Sequence, residues 1–353
     1  MTEYNTLKRV VVGVENYENS KIVDATLKHF FKDNLKDYYR DENFTSYNIS
    51  NQCIEERKQD LDNLVNVLLN EGIEVVRPNE CSRLKTVKTP YFNSVFYSNS
   101  NVRDLTLTVG DKIITSQTTV RSRYFENIML NDILNNEISK YDKTVISSPL
   151  ASLQNDKLDF CDWREYVKID DKKFETNYEI LFDAANCIKV TDSDIIMNIG
   201  NRNHYNGYIW LQRVLPLIKI HPVYMCDNHI DGTLLPIREG VFLVNSCFLK
   251  NDIKNYLPKR FHNWEFITVN EKKLDPKIYD QLILTPPQLA TYEGIDMNVL
   301  SISPNKIIVQ NSAVHVIDKL DRCGFSVLPI QFRHGVLFGG GIHCSTLDLE
   351  RDD

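Results

Sequence analysis

Cys187-Ile188-Lys189-Val190, Thr191-Asp192-Ser193-Asp194 and Ile195-Ile196-Met197-Asn198 form the stretch on which the fold turns. Two short β-branched runs joined by a polar tetrapeptide predict two strands and their turn. A helix is predicted next, near Tyr208 to Leu215, and Ile218-Lys219-Ile220 then returns as a third strand. The order is strand, turn, strand, helix, strand.

The same order recurs on both sides. Upstream it is Leu105-Thr106-Leu107-Thr108, a Gly110-Asp111 turn, Lys112-Ile113-Ile114-Thr115, a helix over Arg121 to Ile138, and Thr144-Val145-Ile146. Downstream, Thr233 to Ile237, Val241 to Val244, a short helix near Leu249 to Tyr256 and Phe266 to Val269 make a third copy. Met297 to Ser301, Lys306 to Val309, a helix near Ala313 to Arg322 and Phe325 to Leu328 make a fourth. Near the N-terminus, strands Arg9 to Val14 and Ile73 to Val76 flank an amphipathic helix from Cys53 to Asn70, and Val336 to Leu349 can supply the strands they lack. Such units must cover each other's apolar faces. Five ββαβ units that include both termini close as a ring, so the expectation is one α/β domain over residues 1–353.

The composition narrows the function. With 42% hydrophobic and 25% charged residues, the 353-residue chain is soluble globular material. Its 41 Lys and Arg against 48 Asp and Glu give a charge of -7, and no basic tract could follow a phosphate backbone. Nucleic acid is not an expected partner. Neither a signal-like start nor a bilayer-length apolar run is present, so no membrane is expected and the location is read as cytoplasmic. Eight cysteines and eight histidines are scattered, without Cys-x-x-Cys or zinc-type spacing. Neither disulfides nor a bound metal is expected. Walker and Gly-x-Gly-x-x-Gly loops are absent too, which removes the usual support for phosphoryl or nicotinamide chemistry.

In a ring, equivalent positions of all copies face one axis. Polar residues just ahead of each first strand are Arg103-Asp104, Asp183, His229 with Asp231, Asp296 with Asn298, and Cys344. Cys344 follows the run Gly339-Gly340-Gly341, where a flat ligand could approach bare backbone. A thiol attacks as thiolate, and an imidazole can take or relay its proton. His229 and Asp231, two apart, share a face in extended chain, whereas His343 is expected to point away from Cys344. Asp183 is the candidate to fix the His229 tautomer. Carboxylates around a nucleophile suit a planar cation, a guanidinium, whose carbon the sulfur can attack.

The runs Val102-Arg103-Asp104, Val120 to Glu126, Phe182-Asp183-Ala184-Ala185-Asn186, His229-Ile230-Asp231, Met297-Asn298-Val299-Leu300 and Gly339 to Asp348 resemble the arginine amidinotransferases. The likeness is nearest to the inosamine-phosphate type, then the glycine type. It runs from about Arg9 to Arg351 and implies the pentein fold, an α/β propeller of five ββαβ modules with pseudo-fivefold symmetry. It also implies transfer of an amidino group from arginine or a related guanidino donor to a primary amine, in specialised biosynthesis, without a cofactor. In that scheme Cys344 carries the covalent amidino group, His229 is acid then base, and Asp183 orients it. Asp104 and Asp231 grip the guanidinium, and Asn298 and Arg121 are further substrate-binding candidates. Arg121 and Arg123 can equally brace the start of their helix.

Two positions depart from the family. An arginine that holds the donor carboxylate falls nineteen residues past the histidine, at Phe248, and a family serine falls at Tyr292. Lys250 or a displaced loop can compensate, or the donor is not arginine. The same residues also fit a guanidine hydrolase of the deiminase kind, in which water intercepts the intermediate. A third alternative is a non-catalytic pentein scaffold, which the retained Cys, His and Asp set disfavours. The resemblance allows a monomer or a homodimer, and leaves the amine acceptor open.

Overall fold

Hairpins form where a glycine or polar pair interrupts two β-branched runs. The computed structural model describes residues 1–16, 21–30, 46–79, 86–96, 100–160, 174–226, 229–249, 251–271, 283–285 and 295–352. Thr106–Val109 and Lys112–Thr115 pair antiparallel across Gly110-Asp111, and Thr144–Ser147 adds in parallel. Cys187–Thr191, Asp194–Asn198 and Lys219–Val223 repeat this arrangement. So do Leu234–Arg238, Val241–Asn245 and Glu265–Val269, and then Leu300–Ser303, Lys306–Gln310 and Ser326–Ile330. In the fifth such sheet Leu7–Val12 is central, antiparallel to Thr346–Arg351 and parallel to Glu74–Val76. The two ends of the chain therefore share one sheet.

The central strands are apolar on both faces because both are covered. All five residues of Asp194–Asn198 and of Val241–Asn245 are buried. The apolar cores also run from one sheet into the next. Leu107 and Ile114 pack with Cys187 and Ile195. Ile188, Leu234 and Ile307 belong to one cluster, Leu300 and Ile308 join Leu7 and Val10, and Val11 and Leu347 join Ile113. Each fully buried Ile, Leu or Val contributes about 1.5–3 kcal/mol. The interfaces between units are thus the core itself.

The helices follow their sequence cues with three differences. Asn51–Asn70 starts at Ser50, whose hydroxyl accepts from Cys53 N–H, and buries Ile54, Leu61, Leu64 and Leu68. The helix expected over Arg121 to Ile138 is α-helical only over Asn131–Tyr141. Before it come 3-10 turns at Arg121–Arg123 and Glu126–Leu130. The tighter turns let Arg123 reach Glu126 three residues on and Asp104 at once. The helix expected from Tyr208 begins earlier, at Arg202, capped by Asn201. Among the described residues near Leu249 to Tyr256 there is no α-helix but a 3-10 turn at Ile253–Asn255, followed by another at Lys259–Phe261. The Asp252 side chain accepts the Lys254 N–H, a local bond that competes with a continuous helix across the segment. Val336 to Leu349 supplies a single strand, Thr346–Arg351, with turns at residues 333–339 and 342–345 ahead of it.

Among the described residues no helix is long and apolar enough to cross a membrane.

Candidate active site

Six of the candidate side chains sit in turns just before first strands. Asp104 precedes Thr106–Val109, Asp183 precedes Cys187–Thr191, and His229 and Asp231 precede Leu234–Arg238. Asn298 and Cys344 precede Leu300–Ser303 and Thr346–Arg351. Backbone bonds tie these turns to one another. Ala184 N–H donates to Asp104 O at 2.5 Å, Arg103 N–H to Cys344 O at 3.2 Å, and His343 N–H to Asn298 O at 3.2 Å. All six side chains are buried, between 0% and 7% exposed.

The three reactive groups meet. A carboxylate oxygen of Asp104, a ring nitrogen of His229 and the Cys344 sulfur all lie within 4.8 Å of one another. His229 Nε2 is 3.0 Å from Asp183 Oδ2, and its Nδ1 is 3.6 Å from Asp104 Oδ1. The edge of the Phe30 ring packs against the imidazole, with centroids 5.5 Å apart. Asp183 is set by close packing behind it. Gly207 lies so near that a Cβ there would be 2.6 Å from Leu181 O and 2.8 Å from the Phe182 ring.

Cys344 is held by Asn298 and Asp231. Asn298 Oδ1 accepts the Cys344 backbone N–H at 3.0 Å, and its Nδ2 donates to Sγ at 3.3 Å and to Asp231 Oδ2 at 3.0 Å. The thiol faces Asp231 Oδ2 at 3.3 Å. The glycine run is required by this crowding. A Cβ on Gly340 would be 2.5 Å from Asn101 Oδ1 and 2.7 Å from Cys344 Cβ, and one on Gly341 would be 2.8 Å from Asn298 Cβ. Beneath the loop, buried Arg57 donates to Gly340 O at 3.2 Å and Ser345 Oγ at 2.7 Å, with its guanidinium over the Phe332 ring.

Burial and the carboxylates set the charges. Burial raises the Cys344 thiol well above its ordinary range, and Asp231 and Asp104 raise it further. Burial alone would lower His229, but Asp104 and the bonded Asp183 outweigh it and bring the imidazole to about 9. Burial opposes ionisation of Asp183 and Asp231, yet their histidine partners, His229 and His343, hold both below the usual carboxylate range. Burial raises Asp104 despite His229 and Arg123. The free site at neutral pH is thus a thiol beside an imidazolium. Asp104 Oδ1 and Asp183 Oδ1 are buried without a hydrogen bond. A planar cation delivering N–H groups would satisfy Asp104.

Arg121 spends its guanidinium on Leu153 O and Asn155 Oδ1 and lies over the Phe92 ring, whereas Arg123 bonds Asp104 at 2.8 Å. Arg123 was legible only as a helix brace, because its contact depends on a turn that the helical pattern conceals. Asp296 bonds Gln310 and stays outside the cluster. His343 does not point away from the site. Its Nδ1 lies 2.8 Å from Asp231 Oδ2, the oxygen that faces Cys344. The alternation rule fails there because His343 and Cys344 lie in a turn, not a strand. Phe248 ends the 3-10 turn Ser246–Phe248, and Lys250 and Tyr292 lie outside the described residues.

No family model matches the chain. It is 26% identical over 352 residues to inosamine-phosphate amidinotransferase 1 of Streptomyces griseus, covering 99% of this chain and 95% of that protein. It is 27% identical over 356 residues to the L-arginine:L-lysine amidinotransferase of Pseudomonas savastanoi pv. phaseolicola, covering 99% and 93%. A solved structure of the inosamine-phosphate amidinotransferase StrB1 from Streptomyces griseus superposes with a TM-score of 0.82 at 25% identity, over 100% of this chain and 96% of that one.

Proposed function

We propose that this chain, similar from end to end to arginine amidinotransferases, moves an amidino group from arginine or a related guanidino donor to an amine. One observation carries the site assignment: a thiol, an imidazole and a carboxylate from three separate turns converge within 4.8 Å among further buried carboxylates.

The donor guanidinium gives N–H bonds to Asp104 and Asp231, with its carbon facing Cys344 Sγ. Its positive charge offsets the two carboxylates that keep the thiol protonated, so binding favours loss of the S–H proton to solvent. The S–C bond forms, and the C–N bond to the departing amine breaks as the His229 imidazolium gives that amine its proton. An amidino-thioether on Cys344 remains, and His229 is left neutral. It then takes a proton from the incoming amine, which bonds to the amidino carbon while the S–C bond breaks. Cys344 recovers its proton from solvent. Asp183 keeps the imidazole oriented through both halves. Asn298 serves the same reaction by fixing Cys344 and Asp231.

We take the five mixed sheets as modules of one pseudo-fivefold ring over residues 1–353. The turn-to-turn backbone bonds, the shared cores and the terminal strands paired in one sheet support it.

The test is to incubate the protein with arginine and a panel of primary amines and to identify products by mass. Ornithine with a new guanidino compound is expected, and a quenched reaction should show Cys344 heavier by one amidino group. A ureido product in place of amidino transfer identifies a hydrolase. Full activity of Cys344→Ala would sink the nucleophile.

A further inference from the structure

His343 has no part in the steps above, yet it is among the most tightly held side chains near the nucleophile. Its imidazole is buried at 3% exposure. Nδ1 lies 2.8 Å from Asp231 Oδ2, and Nε2 lies 3.4 Å from Glu3 Oε2. A carboxylate only accepts, so the ring satisfies both neighbours when each nitrogen carries a proton. Its backbone is fixed as well. His343 N–H donates to Asn298 O at 3.2 Å, and Arg103 Nε donates to His343 O at 2.9 Å.

Glu3 is itself anchored from several sides. Arg103 Nη1 donates to its Oε2 at 3.1 Å and Lys189 N–H to its Oε1 at 3.1 Å. Behind them, Asp348 accepts from Arg103 at 2.5 Å, Lys189 at 3.2 Å and Arg351 at 2.8 Å. An unbroken polar chain thus runs from the first residues of the protein through Glu3, His343 and Asp231 to Cys344 Sγ.

We infer that His343, anchored on Glu3, is a positioning residue for donor capture: it holds Asp231 ionised and aimed at the space beside Cys344 Sγ. Asp231 is 1% exposed, and a carboxylate so buried takes up a proton unless donors or cations oppose it. A protonated Asp231 would neither attract a guanidinium nor accept two of its N–H groups. Three donors converge on Asp231 Oδ2, from His343, Asn298 and Cys344. Of these only the imidazole is anchored from its far side by a second carboxylate, that of Glu3. The other charged groups around the pair are His229 and Asp104 on the substrate side, Arg103, which bonds the His343 carbonyl and also acts on Asp231, and Lys189 and Asp348 beyond Glu3.

This inference rests on the amidino-transfer reading, and the test separates the two. The measurement is kcat and KM for the guanidino donor against pH in the wild type, His343→Leu, His343→Asn and Glu3→Gln. In His343→Leu the acidic limb of kcat/KM moves to higher pH, and at neutral pH the donor KM rises by about tenfold, the effect of losing one charged hydrogen bond. His343→Asn presents an amide N–H near the place of Nδ1 and recovers most of the donor KM. Glu3→Gln shifts the limb the same way by less. An acidic limb unmoved in His343→Leu, with only the plateau lowered, overturns the inference. If that variant does not fold, an unmoved limb in Glu3→Gln does so instead. Absence of any amidino product from the wild type would count against the proposed function, not against this role.

Discussion

Asn298 holds Cys344 by both its backbone and its sulfur: Oδ1 accepts the N–H at 3.0 Å and Nδ2 donates to Sγ at 3.3 Å. The proposed nucleophile is thus placed by a residue 46 positions away in sequence. Asn298→Ala removes both contacts. Each is worth about 0.5–1.5 kcal/mol, about 1–3 kcal/mol together, so kcat/KM should fall by roughly 5- to 150-fold. Steady-state kinetics beside a melting curve checks it, and a loss of stability with unchanged kcat/KM in the folded fraction would contradict it.

Asp183 and Asp104 keep His229 protonated up to about 9. The folded-state value lies above the ordinary imidazole value of 6.5, so this linkage stabilises fully below pH 6.5 and is lost as pH rises through about 9. Asp183→Asn should flatten the fall in stability between those values. It should also move the basic limb of kcat/KM to lower pH, because the imidazolium proposed to protonate the leaving amine titrates earlier. Urea unfolding at several pH values and a pH–rate profile read the two effects separately.

Free Cys344 should resist alkylation at neutral pH, since burial, Asp231 and Asp104 all hold its proton. Iodoacetamide labelling followed by mass should be slow, and faster in Asp231→Asn, where one negative neighbour is gone. Equal labelling rates in the two proteins would refute the electrostatic account.

Gly340→Ala should be disproportionately costly for so small a change. The new methyl would sit 2.5 Å from Asn101 Oδ1 and 2.7 Å from Cys344 Cβ. Overpacking of this kind costs about 1–3 kcal/mol, and the displaced loop carries the nucleophile, so activity should fall further than stability. Thermal unfolding and single-turnover amidination measure the two losses.

Arg103→Met leaves Glu3 and Asp348 buried without one of their cations. Breaking a buried ion pair from one side costs about 3–5 kcal/mol, and denaturant unfolding should show a loss of that order. Arg103→Lys should recover only part, since an ammonium cannot match the guanidinium bonds to Glu3, Asp348 and the His343 carbonyl.

The repeat was legible because alternating β-branched runs and turn residues are local properties, and the positions of Asp104, Asp183, His229, Asp231, Asn298 and Cys344 before first strands followed from the same phase. Helix extents were less legible. Arg123 tightens its segment into 3-10 turns through contacts with Asp104 and Glu126, and Asn201 starts a helix earlier than the apolar period does. Of the candidate site, sequence supplied the thiol, the imidazole and the carboxylates as kinds of residue in register. Tertiary structure alone decided that Arg123 rather than Arg121 touches Asp104, that Asn298 braces the thiol, and that His343 turns toward Asp231 with Glu3 behind it. The physical reason is that a period fixes which face a residue belongs to only inside regular structure. At the turns where these side chains meet, direction is set by partners that arrive from other parts of the chain.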